Sequence, residues 1–205
     1  MQSQYPLPAP PKGDSRHPAY EKDSEERKGK CGVYHFAHWV ATGQRANPVL
    51  TRDSMSTSTR FEIPRHFIII NIASLTQTMS ILFHVVAKES HDQYCHSYQH
   101  SSQTGALKVL TGTSCACFQG LVVIRNVAAD PHKDSSDYKN GWVGMCCFGD
   151  FTGGELVVSI LGMKFQVQPG DVIFFRLTLL EHYVLPIIGD RTSFVFLSAK
   201  MSSGY

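Results

Sequence analysis

Charge is what this sequence has least of. Asp, Glu, Lys and Arg make up only 18% of its 205 residues, and the formal net charge is +2. With 42% hydrophobic residues beside it, that composition excludes a wholly disordered chain. A near-neutral balance neither requires nor excludes a nucleic-acid partner, because a basic groove can sit on a neutral domain. Cysteine is scarce too: six residues, mostly in apolar surroundings, are too few for a disulfide scaffold. They point to reduced thiols inside a cell, in the nucleus or cytoplasm. The opening MQSQYPLPAPPKGDS lacks the basic-then-apolar order of a signal peptide. No internal repeat is present.

One run is free of charge altogether. FIIINIASLTQTMSILFHVV, residues 67–86, is long enough to span a bilayer. Asn71, Ser74, Thr76, Gln77, Thr78, Ser80 and His84 make it a poor membrane helix. We read it as two buried core elements, FIIINI and ILFHVV, with a polar turn between them; no membrane is expected as a partner.

Residues 1–30, rich in proline and then in mixed charge, cannot bury enough apolar surface to offset their ordering entropy and are predicted to be a disordered tail. Residues 31–205 are predicted to form a single domain. CGVYHFAHWV at its start is aromatic and locally ordered; residues 88–105 are polar. From about residue 106 to 200 the texture is uniform. ALKVL, CFQGLVVIRNV, WVGMCCFG, ELVVSI, KFQVQ, DVIFF and TSFVFLS read as strands, and PHKDSSDYKNG, DFTGG, LGM, QPGD and IIGDR as the turns between them. The expected fold is mainly β, a jelly roll. FIIINI and ILFHVV are expected to lend the strands that complete it, with helical cover from other residues of the N-terminal half.

Within this frame, ADPHKDSSDYKNGW holds His132 and Asp134 two positions apart. His182 follows far downstream in LLEHYV, and Arg191 and Ser193 open the last strand. Two imidazoles and one carboxylate bind ferrous iron on one face and leave three positions open. A 2-oxo acid can take two of these and dioxygen the third. Arg191 can form a bidentate pair with the far carboxylate of 2-oxoglutarate, with Ser193 adding a hydroxyl donor. Each piece alone is a common loop feature; the order and strand-turn context of all of them together carry the reading.

At these residues the chain resembles the Fe(II)/2-oxoglutarate-dependent dioxygenases, and within them the TET/JBP-type branch with its fungal members. PHKDSSD, NGWVGMCCFGDFTGGEL, VQPGDVIFF, LEHYV and GDRTSFVF carry the resemblance over roughly residues 118–198. It implies a double-stranded β-helix and hydroxylation of a C–H bond, that of a 5-methylpyrimidine in nucleic acid being favoured. Position by position, it implies His132, Asp134 and His182 as iron ligands and Arg191 with Ser193 as the 2-oxoglutarate anchor. Asp137, three residues past the metal carboxylate, falls where the branch reads the target base, and a carboxylate there can accept from a cytosine amino group; capping of the turn is the structural alternative. Asn126 is expected to point from its strand into the pocket. Ahead of residue 110 no pattern of the family is visible. No DNA-reading insert is recognisable, and the chain ends soon after its last apolar run. Two alternatives therefore stand beside the enzyme: a cupin-like metal-binding module, which has no need of Arg191, and an inactive relic of a mobile-element-associated gene.

HDQYCHSYQH, with His91, Cys95, His96 and His100, lacks the paired spacing of a zinc site. Cys115, Cys117, Cys146 and Cys147 read as core residues. His35 and His38 read as residues of the core edge. DFTGGEL lacks a phosphate-loop lysine and reads as a turn, with Glu155 at the surface. Asp150 and Asp171 read as turn residues bonded to local backbone.

Overall fold

The structure is a computed structural model that describes residues 31–39, 49–51, 53, 72–102, 117–134, 141–176 and 178–198. The N-terminal tail, ALKVL, Cys115, Asp137 and residues 67–71 of FIIINI lie outside the described residues. In chain order the elements are β1 (Gly32–Trp39), β2 (Val49–Leu50), α1 (Ala73–Val86), α2 (Lys88–Ser102), β3 (Gly120–Arg125), β4 (Ala129–His132), β5 (Val143–Gly153), β6 (Leu156–Val158), β7 (Met163–Phe165), β8 (Val172–Phe175), β9 (His182–Val184) and β10 (Ile187–Leu197). They divide between two units, Met1–Tyr34 with Val122–Val195 and His35–Leu121 with Phe196–Tyr205.

In the first unit two sheets alternate along the chain. One has the order β3-β10-β5-β8 and the other β4-β9-β6-β7. After β5 the chain crosses to β6 and β7, returns to β8, crosses again to β9 and returns to β10. That shuttling is the jelly-roll path expected from the sequence. Met145 and Cys147 of β5 are buried with Leu156 and Val158 of β6 and Val167, and Phe175, Val184 and Val195 pack against them. Full burial of a side chain such as Leu156 contributes about 1.5–3 kcal/mol.

Two stretches read as turns are extended instead. DFTG belongs to β5 and IIGDR to β10. Their glycines serve close approach. A Cβ on Gly149 would strike the Asp190 carbonyl, one on Gly189 would strike the Asp150 carbonyl, and both residues have positive φ. Only Gly154 and Glu155 separate β5 from β6. β4 and β9, short and centred on polar residues, were not foreseen as strands.

In the second unit β1 pairs antiparallel with β2, His38 opposite Leu50. β3 enters beside β1, where a Cβ on Gly120 would collide with Ala37 and Leu197. ILFHVV is not a strand: residues 73–86 form one helix, α1, and the polar run within it is no turn. The hydroxyls of Thr76 and Thr78 donate to the carbonyls of Ile72 and Ser74 four residues back, at 3.0 and 2.9 Å, so the helix backbone absorbs the polar residues. Met79 and Phe83, one turn apart, supply the buried side. Phe83 meets Tyr94 of α2 and Phe118 with ring centroids 5.3 and 5.2 Å apart, and Phe118 meets Phe196 at 5.8 Å. No helix among the described residues is long and apolar enough to cross a membrane.

Candidate metal centre

His132 ends β4 and His182 begins β9. The two are direct register partners in an antiparallel pair, and each is held by its strand. Between Ala129 and His132 the register shifts relative to β9. Pro131 falls inside that shift, where no ladder N–H is required, and the irregularity re-aims the side chain that follows. The result brings the two rings to 4.3 Å between centroids. On the other side of β9, Val158 of β6 pairs with His182, and the Phe175 ring meets the imidazole edge-on at 6.0 Å.

Both histidines are oriented by the same device. Nδ1 of His132 lies 2.6 Å from the carbonyl of Asp130, and Nδ1 of His182 lies 3.0 Å from the carbonyl of Leu180. A carbonyl only accepts, so each Nδ1 carries the hydrogen and each Nε2 presents a lone pair. Asp134 lies between those lone pairs: Oδ1 is 3.7 Å from Nε2 of His132, and Oδ2 is 3.9 Å from Nε2 of His182. One ligand atom from each of the three falls within 4.8 Å of the others. His182 is 4% exposed, so its imidazole has little water to turn toward. Two imidazoles oriented by outer hydrogen bonds, with one carboxylate between them, are a donor set that fits a ferrous ion.

Arg191 is the largest fully buried side chain described, at 1% exposure. Burying a guanidinium costs several kcal/mol unless its charge and N–H groups are met. Nη1 donates to the Gly154 carbonyl at 2.5 Å, and the group lies 5.3 Å from the centre of the Phe151 ring. The Cys147 thiol is a further neighbour; burial pushes its pKa up, and Arg191 opposes that shift. Among the described residues no carboxylate pairs with Arg191, and its buried Nε–H has no acceptor. An unmatched buried cation is the feature a bound dicarboxylate would complete. Ser193 is also buried, and two positions along a strand it shares Arg191's face.

Asn126 is bonded to the strand that carries Arg191. It adopts a left-handed φ of 53° at the end of β3, a conformation Asn tolerates. Its Oδ1 accepts from the Arg191 backbone N–H at 2.7 Å, its own N–H donates to the Arg191 carbonyl at 3.0 Å, and Nδ2 donates to Asp190 at 3.1 Å. Sequence reasoning missed Gly154. Its φ is +68°, and a Cβ there would collide with Nη1 of Arg191; the glycine doublet was visible but read only as a turn.

The residues set aside fall in varied places. Cys117, Cys146 and Cys147 are fully buried, and all five described cysteines are free thiols. Asp171 accepts from the Gln168 N–H at 2.8 Å, a local turn bond as expected. Asp150 is an exposed strand residue of β5. Glu155, 3.5 Å from Lys164, is half-buried rather than fully at the surface. His35 donates its backbone N–H to Asp53 at 2.7 Å. His91 belongs to a second cluster, taken up below.

A family described as the oxygenase domain of the 2OGFeDO superfamily, Tet_JBP, matches residues 51–199. The chain belongs to this family of iron- and 2-oxoglutarate-dependent oxygenase domains. The match begins well ahead of residue 110, so residues 51–109, where the sequence showed no family pattern, lie within the domain too. Among curated proteins, the bifunctional helicase and thymine dioxygenase JBP2 of Trypanosoma cruzi (strain CL Brener) is 38% identical over 66 residues. That stretch is 32% of this chain and 6% of that protein. Among solved structures, NgTET1 in complex with 5mC DNA superposes with a TM-score of 0.63 at 17% identity, covering 90% of this chain and 66% of that one. The likeness is one of fold.

Proposed function

We propose that the chain is a dioxygenase that hydroxylates the methyl group of a 5-methylpyrimidine in nucleic acid, with 2-oxoglutarate as co-substrate. The observation that carries this reading is the meeting of two backbone-anchored histidines and one carboxylate in the unit that also buries Arg191 with an unused N–H. Fe(II), when bound, supplies the oxygen chemistry: one atom of dioxygen enters the C–H bond, the other enters succinate, and carbon dioxide leaves. The chain's own residues hold and orient. His132 and His182 offer Nε2 because their Nδ1–H groups are occupied by carbonyls. Asp134 brings the negative charge that balances the cation. Arg191 receives the far carboxylate of 2-oxoglutarate through its free Nε–H, and Ser193 adds a hydroxyl. Val158, paired with His182, and Phe175, edge-on to its ring, give the histidine side an apolar lining.

The substrate class rests on the relatives: one is named a thymine dioxygenase and the other was captured with DNA bearing 5-methylcytosine. Asp137 favours cytosine over thymine in this reading, since a carboxylate accepts from an amino group and is repelled by a carbonyl. The described thiols, four of five buried and none in a disulfide, suit a reducing compartment, nucleus or cytoplasm. A cupin-like module would leave Arg191 without a task.

The test is an anaerobic titration with Fe(II) and 2-oxoglutarate, followed through the visible charge-transfer band of the chelate. Oxygen and duplexes carrying 5-methylcytosine or thymine are then added, and succinate and oxidised bases are read by mass spectrometry. A band with oxidised 5-methylcytosine supports the proposal, and Asp137→Ala should then erase the preference over thymine. A band without base oxidation would move the substrate elsewhere. No band in folded protein would favour the cupin or relic reading.

A further inference from the structure

A second constellation of the same donor types stands in the other unit. His84 lies in the last turn of α1, and His91 and Asp92 lie at the start of α2. Nδ1 of His84 is 3.3 Å from Nδ1 of His91, and Nδ1 of His91 is 3.3 Å from Oδ1 of Asp92. The third edge, His84 Nδ1 to Asp92 Oδ1, is 3.9 Å. A tetrahedral zinc ion with bonds of about 2.0–2.1 Å holds its ligand atoms about 3.3–3.4 Å apart. Two edges of the triangle already have that length.

The outer contacts favour the same reading. The other nitrogen of His91, Nε2, lies 3.1 Å from the hydroxyl of buried Ser80. That hydroxyl is also bonded to the Cys117 thiol. In the tautomer whose Nε2–H donates to the Ser80 oxygen, the Nδ1 lone pair faces His84 and Asp92. Lys88 grips Asp92 at 2.6 Å, but through Oδ2, so Oδ1 remains turned to the histidines. Two ring nitrogens and a carboxylate oxygen facing one another at these distances need shared protons or a cation between them. His91 is half-buried while His84 and Asp92 are exposed, which leaves an open side for water as fourth ligand.

We propose that His84, His91 and Asp92 form a second metal site, for a divalent cation of borderline softness such as zinc. The ion ties the end of α1 to the start of α2 across Ala87. Imidazole nitrogens select zinc, nickel or copper over magnesium and calcium. The site is structural, because it gathers only residues adjoining one helix joint and adds a bond between two elements that already meet through Phe83 with Tyr94 and Ser80 with His91. It stands on geometry separate from that of His132, Asp134 and His182 and does not depend on the oxygenase reading.

The experiment is a calorimetric titration of zinc chloride into the full chain and into a His132→Ala/His182→Ala variant. Two equivalents are expected in the first and one in the second. Adding His84→Ala, an exposed change that leaves the core alone, should weaken the remaining equivalent at least tenfold, as should Asp92→Asn. The same zinc should raise the melting temperature of the double variant and not that of its His84→Ala derivative. Should the double variant not fold, stoichiometry in the otherwise unaltered chain decides: two equivalents falling to one with His84→Ala supports the site. A single equivalent throughout, or a second that ignores His84→Ala, overturns it.

Discussion

Asn126 grips the backbone of Arg191 on both sides, accepting from its N–H at 2.7 Å and donating to its carbonyl at 3.0 Å. The residue that follows β3 thus sets the height at which the buried guanidinium leaves β10. Asn126→Gly keeps the left-handed φ and deletes the side-chain bond. A part-buried bond of this kind contributes about 0.5–1.5 kcal/mol. Affinity for 2-oxoglutarate should fall about 3- to 10-fold with Fe(II) affinity unchanged, as read from the charge-transfer band. Equal losses of both would mean that Asn126 supports the whole site rather than Arg191.

Arg191 itself should matter more. Arg191→Ala leaves a bound dicarboxylate without its partner, a loss of about 2–5 kcal/mol. Titration should show 2-oxoglutarate binding at least 30-fold weaker while iron still binds. Arg191→Lys keeps the charge but loses the fork, and should recover only part of the difference.

Removal of a metal ligand separates chemistry from fold. His182→Ala and Asp134→Ala should each abolish iron binding by calorimetry while far-UV circular dichroism is preserved. Undiminished iron affinity in either would rule out this triad as the centre.

Gly154 is constrained twice, by its φ of +68° and by the nearness of Nη1 of Arg191. Gly154→Ala should cost about 1–3 kcal/mol of stability in thermal or urea unfolding. It should also weaken 2-oxoglutarate binding, because the guanidinium must move. Wild-type behaviour in both would show that Arg191 does not depend on this carbonyl.

Burial pushes the Cys117 and Cys146 thiols up to about 12, from 9.0. A folded-state pKa above the unfolded value means the native protein holds its protons longer. The stability this contributes is whole below pH 9 and is lost as pH rises from there towards 12. Urea unfolding midpoints should fall through that window, and Cys146→Ala should flatten the fall. At pH 8 both thiols should resist iodoacetamide until the chain unfolds.

How much of this was legible beforehand depended on which physical signal each residue carries. Apolar runs such as LVVIR and DVIFF announce strands because burial on a pleated sheet demands them, and β3 and β8 lie there. His132, Asp134, His182 and Arg191, the residues proposed for iron and 2-oxoglutarate, could be singled out because such ligands constrain residue type and order along the chain. The helix over residues 73–86 was misread because its threonine hydroxyls bond back to the helix, and a polar run with no glycine or proline looks the same in either state. Sequence therefore determined the jelly-roll core and the chemical types at its mouth. Tertiary structure alone decided that DFTG and IIGDR extend β5 and β10, since only the meeting of Gly149 with Asp190 and Gly189 with Asp150 makes those glycines necessary. It alone decided that Asn126 serves Arg191's backbone and that Gly154 makes room for its guanidinium. The same holds for His84 and His91, brought together by the fold of two helices about Ala87: hydrogen bonds and metal ligands are fixed by distances of a few ångströms between side chains, and no periodicity along the chain encodes them.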